Sequence, residues 1–69
     1  MQTETLAIHL KKYRKEARLT QEELANCVGV RRETISQLES GKGNPSLITG
    51  LKVAKVLNVP INEIFMLKD

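Results

Sequence analysis

Cysteine is almost missing from this sequence of 69 residues: Cys27 is the only one. It can form no intrachain disulfide, so nothing ties the chain to an oxidising compartment. Proline and glycine are sparse too, at two and four, and no repeat, linker or low-complexity segment interrupts the chain. No apolar run approaches the length of a membrane span or a signal peptide. The cytoplasm is the simplest address, and no membrane is expected as a partner. Histidine occurs once, at His9; with no second ligand at metal spacing, a solvent-facing or edge position is expected rather than a metal site. His9, Cys27 and the carboxylates show no nucleophile–base spacing either. A chain this short buries too little apolar surface for a large pocket and an enzyme scaffold together. We therefore expect one domain over residues 1–69 with a single all-helical core, no cofactor and no enzymatic turnover.

What the sequence does carry is bunched positive charge. Eleven lysines and arginines against eight acids give a net charge of +3, a balance that permits nucleic-acid binding without demanding it. Their distribution says more than the sum. Lys11, Lys12, Arg14, Lys15 and Arg18 fall in one segment, and Arg31, Arg32 and Lys42 flank another.

That second segment, Thr20 to Gly41, reads as two short helices joined by a tight turn. Thr20 and Glu23 have the T-x-x-E spacing of a capping box, in which each side chain bonds the other's backbone N–H. Leu24, Ala25 and Val28 follow at helical spacing, and Gly29 stands where a helix ends in a left-handed residue. Ile35 and Leu38 imply a second buried stripe, closed by Gly41, so the second helix spans roughly Arg32 to Ser40. Two helices crossing steeply over a short glycine-containing turn form a helix-turn-helix unit. With Ile35 and Leu38 inward, Arg32, Glu33, Ser36 and Gln37 share the outward face.

The flanking segments supply the rest of a helical bundle. A first helix is expected from Thr3 or Thr5 to about Ala17, with Leu6, Leu10, Tyr13 and Ala17 on one face. Arg14 lies at the edge of that stripe; it is either solvated or buried with a partner. After the Lys42-Gly43-Asn44 loop, Asn44 can cap and Pro45 can start a fourth helix, Ser46 to Leu57, with Leu47, Leu51, Ala54 and Leu57 inward and Lys52 and Lys55 outward. Gly50 within it marks close packing or simple tolerance. Asn58 suits a left-handed stop, and Pro60 leads into a short fifth helix, Ile61 to about Met66.

The matched string is Thr20-Gln21-Glu22-Glu23-Leu24-Ala25, Gly29-Val30, Arg32-x-Thr34-Ile35-Ser36-x-x-Glu39-x-Gly41-Lys42 and Asn44-Pro45-Ser46-Leu47. It resembles the DNA-binding domain of the Cro/C1-type (XRE-like) repressor family, over about Leu6 to Phe65. The resemblance implies a compact all-α, five-helix bundle of the lambda-repressor-like type. It implies that Arg32, Glu33 and Gln37 read bases, and that Gln21 grips phosphate and braces the reading helix. It also implies a buried pair between Arg14 and Glu39. Arginine suits guanine and glutamine suits adenine, while Glu33 either accepts from cytosine or holds a neighbouring arginine. Ser36 shares that face. Helix N-termini favour phosphate, and Lys42 and Asn44 extend that anchorage. Arg31 stands where relatives commonly carry a serine cap, a loss of about 1 kcal/mol, and its charge can go to phosphate instead. A redox role for Cys27 lacks any visible stabilisation of the thiolate.

The expected function is sequence-specific double-stranded DNA binding by a transcriptional regulator, most simply a repressor acting as a homodimer on a near-palindromic operator. No effector domain is visible. The apolar residues Ile61, Ile64, Phe65, Met66 and Leu67 are the expected dimer contact. The rival is an antitoxin-type module, in which a small protein partner is primary and DNA secondary.

Overall fold

The computed structural model describes residues 5–68. In chain order these form strand β1 (Thr5–Ile8), helices α1 (Leu10–Glu16), α2 (Gln21–Val28), α3 (Arg32–Glu39), α4 (Leu47–Leu57) and α5 (Ile61–Ile64), and strand β2 (Phe65–Lys68). The helical core is aliphatic: Leu10, Leu24, Ala25, Val28, Ile35, Leu38, Val53, Leu57 and Ile64 are buried together.

The five helices are present, but the all-α expectation is corrected by a small antiparallel sheet. β1 and β2 pair in the register Leu6 with Leu67, Ala7 with Met66 and Ile8 with Phe65. The segment expected to open the first helix is therefore a strand from Thr5 onward, and Thr3 lies outside the described residues. The helix itself begins only after His9, whose N–H donates to the Ile64 carbonyl at 2.7 Å. The fifth helix likewise stops at Ile64 rather than Met66. Apolar runs of three residues suit either period, and here the neighbouring strand satisfies their backbone groups.

Helix ends follow the local chemistry. Thr20 and Glu23 form the complete capping box, with Thr20 Oγ1 accepting from Glu23 N–H at 3.0 Å and Glu23 Oε1 from Thr20 N–H at 2.8 Å. Gly29 ends α2 at φ 86°, and Asn58 ends α4 in the same left-handed region. Arg18 also adopts φ 60°, an unusual conformation for a long side chain.

α4 departs from expectation in cap and register. Ser46, not Asn44, is its N-cap: Ser46 Oγ accepts from Thr49 N–H at 3.1 Å. Its buried stripe is Gly50, Val53 and Leu57, whereas Leu47 and Leu51 face outward. Gly50 is there for contact. A Cβ on it would lie 3.3 Å from Ile61 Cδ1 and 3.7 Å from Phe65 Cε2, so the missing side chain lets α5 and β2 close over α4.

Candidate nucleic-acid interface

The two central helices pack directly on one another through Leu24, Ala25, Val28, Ile35 and Leu38. Between them runs a turn of three residues, Gly29 to Arg31. Val30 and Gly29 both donate to the Ala25 carbonyl, at 3.0 and 2.8 Å, which closes α2 and sends the chain off at a new angle.

α3 turns its two apolar residues inward, and this sets its outer face. Arg32, Glu33 and Gln37 are exposed, and Ser36 beside them is half-buried. Arg32 Nη2 lies 3.9 Å from the Glu33 carboxylate, a loose and solvated pair of little energetic weight. Arg31 precedes α3 in extended conformation and makes no side-chain cap, which leaves its charge in solvent. At the other end, Gly41 takes φ 75° and Lys42 N–H donates to the Gln37 carbonyl at 3.0 Å. That closure holds Lys42 next to the last turn of α3, with its side chain exposed along with that of Asn44.

The face is held from behind by a polar cluster centred on Glu39. Arg14 on α1 donates through Nε to Glu39 Oε2 at 2.5 Å and through Nη2 to Oε1 at 3.2 Å. Its remaining Nη1 donates to the Leu19 carbonyl at 2.8 Å. Gln21 Nε2 donates to Glu39 Oε1 at 3.1 Å. Guanidinium and carboxylate side chains are only 10% and 5% exposed, and among the described residues no buried side-chain polar atom lacks a partner. Burial raises the Glu39 pKa, but hydrogen bonds from Arg14 and Gln21, with the charges of Arg14 and Lys11, outweigh it. The net effect is a carboxyl held below its usual 4.5. Three helices thus meet on one carboxylate, and a bidentate fork of this kind fixes direction as well as distance.

Ten residues were singled out from sequence for these roles, and the structure sorts them by place. Arg32, Glu33, Ser36 and Gln37 share one face, Arg31 and Lys42 flank it, and Arg14, Gln21 and Glu39 meet behind it. Asn44 sits free in the loop. Ser46 was overlooked, although its three-residue spacing to Thr49 is a cap signal. Ser46 follows Asn44 by two residues, so the helix start that it caps comes directly after the Lys42–Asn44 loop in the chain. Among the described residues no cluster of side chains could hold a metal ion, and no helix is long and apolar enough to cross a membrane.

The helix-turn-helix family model matches residues 10–64, from the start of α1 to the end of α5. The chain belongs to this family, the Cro/C1-type helix-turn-helix regulators. An HTH-type transcriptional regulator of Archaeoglobus fulgidus is 52% identical over 60 residues, covering 87% of this chain and 84% of the relative. Among solved structures, a putative DNA-binding protein from Bacteroides fragilis superposes with a TM-score of 0.81 at 33% identity, covering 88% of this chain and 98% of that one. The restriction-modification controller protein C.AhdI from Aeromonas hydrophila gives 0.74 at 35% identity, over 78% and 82% of the two chains. In a helix-turn-helix protein the second helix of the unit enters the major groove and the first crosses the backbone. In this chain the second helix of the unit is, by position, α3 and the first is α2.

Proposed function

We propose that this helix-turn-helix protein is a transcriptional repressor that binds a near-palindromic operator in double-stranded DNA as a homodimer. The observation that carries this reading is the outward face of α3, where Arg32, Glu33 and Gln37 stand exposed on a helix locked from behind by Arg14, Gln21 and Glu39. A rigid helix with planar, bidentate hydrogen-bonding side chains on its free face is suited to reading base edges. Arg32 and Gln37 read bases, Ser36 adds a contact at the helix middle, and Glu33 either accepts from cytosine or orients Arg32. Arg31, Lys42, Asn44 and Gln21 hold phosphates along the two flanks, together with the N-termini of α2 and α4. Occupying a promoter is a sufficient mechanism of repression for such a module.

Selection of bound fragments from random duplex DNA tests this. The expected product is an enriched sequence with two-fold symmetry and half-sites about one helical turn apart. Binding without enrichment of any sequence, or purification only with a tightly bound small protein, would replace DNA reading by partner binding as the primary role.

A further inference from the structure

Of the cations on and just after α1, only Arg14 is engaged by an acid. Lys11, Lys12, Lys15 and Arg18 are exposed, and among the described residues the ion pairs are Arg14 with Glu39 and Arg32 with Glu33. These four do not share one face. Leu10 faces the core, and at about 100° per residue Arg14 lies roughly 40° round from it, on the side toward Glu39. Lys11 and Lys15 continue round that same side, at about 100° and 140°. Lys12 lies on the far side, its Nζ 5.2 Å from the centre of the Tyr13 ring, and joins Tyr13, Asn62, Glu63 and Met66 in a groove beside α5. Lys11 also registers at Glu39: burial raises that pKa, Arg14 and Gln21 lower it, and the Lys11 charge lowers it further.

Arg18 ends this stripe in a conformation that favours a different residue. Its N–H donates to the Lys15 carbonyl at 3.0 Å, and the Leu19 N–H donates to the Arg14 carbonyl at 3.2 Å. These are the two bonds of a Schellman helix end, and φ at Arg18 is 60°. Glycine fills that left-handed position without steric cost. An arginine there is strained, and strain of this kind collects where a side chain has work to do. The turn is pinned in place, because Arg14 Nη1 donates to the Leu19 carbonyl at 2.8 Å. Three residues after Arg18, Gln21 opens α2 and bonds the same Glu39 carboxylate. Arg18 therefore stands exposed at the junction between α1 and the first turn of α2.

We propose that Lys11, Lys15 and Arg18 form a phosphate-binding stripe, along which a DNA backbone gripped at the start of α2 continues onto α1. The inference rests on the DNA-reading proposal and deepens it, adding contacts outside the helix-turn-helix unit. Spacing favours it: residues at i, i+4 and i+7 span about 10 Å of helix, room to meet more than one phosphate of a strand whose charges repeat every 3.4 Å or so along the duplex axis. Chemistry favours phosphate over bases, because a lysine on its flexible stem acts as a point charge and carries little directional information. Position favours DNA over another anion, since the stripe runs from Arg18 beside the first turn of α2 along the flank of α1 next to Glu39, which closes the reading helix.

The test is titration of operator and scrambled duplexes at several salt concentrations with charge-matched variants of the full chain. Lys15→Ala/Arg18→Gly removes two charges from the stripe, and Lys12→Ala/Lys55→Ala removes two from the grooves beside α5. The stripe variant should bind both duplexes more weakly by the same factor, with a salt slope lower by about two units. Its melt should stay at or above wild type, because glycine relieves the strain at position 18. The control pair should keep the wild-type slope, Lys11→Ala should lower it by about one unit where Lys12→Ala does not, and Arg18→Lys should bind more tightly than Arg18→Gly. A stripe variant with the wild-type slope overturns the proposal and leaves these charges to an anionic partner other than DNA. A control pair that lowers the slope equally overturns it too, reducing the stripe to net charge. The DNA reading is judged by the ratio of operator to scrambled affinity and the stripe by the slope common to both, so each can fail while the other stands; a wild type that binds neither duplex overturns both.

Discussion

Arg14 and Glu39 lie 25 positions apart and meet as a two-pronged ion pair behind the outward face of α3. Neither end is left dangling, because Leu19 accepts the remaining guanidinium donor and Gln21 adds a third bond to the carboxylate. A buried pair of this kind stabilises little over a well-packed apolar substitute, yet breaking it is costly because one charge is stranded. Its larger contribution is to direction, since it fixes the angle of α3 against α1 and α2.

Removing either partner alone should therefore destabilise the fold by about 3–5 kcal/mol. Denaturant or thermal melts of Arg14→Ala and Glu39→Ala measure this. Arg14→Lys should recover only part of the loss, because an ammonium cannot reproduce the two-pronged fork. Melts indistinguishable from wild type would show the pair to be incidental.

The depressed Glu39 pKa gives a pH dependence with a definite sign. A carboxyl that ionises below its usual 4.5 when folded contributes stability that is fully present above 4.5 and is lost as pH falls through the folded-state value. Glu39→Gln keeps most of the shape but has no proton to bind. The stability gap between wild type and Glu39→Gln should accordingly be constant near neutral pH and narrow steadily below pH 4.5. A gap independent of pH in melts down to acid would remove Glu39 as the cause.

Arg18 offers a test of backbone strain. It holds φ 60° just past α1, where a non-glycine residue pays roughly 1–2 kcal/mol and glycine pays mainly in unfolded-chain entropy. Arg18→Gly should be neutral or stabilising by up to about 1 kcal/mol, and Arg18→Val should destabilise. Both are read from chemical melts.

How much of this was legible in the sequence depended on whether a residue's role was local. Thr20 with Glu23, Gly29, Gly41 and Asn58 mark the ends of α2, α3 and α4 by chemistry within a few positions, and the structure places those ends accordingly. β1 and β2 were not legible, because Leu6–Ile8 and Phe65–Leu67 are short apolar runs that become strands only by finding each other across the chain. The α4 stripe was misjudged for a related reason. Leu47 and Leu51 invite burial by composition, but Gly50 decides the inward face through a contact with Ile61 and Phe65 that no periodicity encodes. The outward face of α3 could be read because Ile35 and Leu38 fix it. The cluster around Glu39 required a resemblance, since residues at 14, 21 and 39 share no local pattern.

The sharpest test of the DNA reading compares two classes of variant on one titration. Arg32 and Gln37 are exposed on the free face of α3, whereas Lys42 stands at its end, its backbone tied to the Gln37 carbonyl. Base contacts discriminate and phosphate contacts do not, so the classes should fail differently. Arg32→Ala or Gln37→Ala should cost about 1–3 kcal/mol on the selected operator and relax the preference at one base pair, with little change on scrambled duplex. Lys42→Ala should weaken both duplexes alike and reduce the salt slope by about one unit. The melts of all three should match wild type, because the side chains lie in solvent and none joins the Glu39 cluster. If Arg32→Ala and Gln37→Ala leave the ratio of operator to scrambled affinity unchanged, α3 is not the reader. The helix-turn-helix would then serve chiefly as a rigid platform for a protein partner.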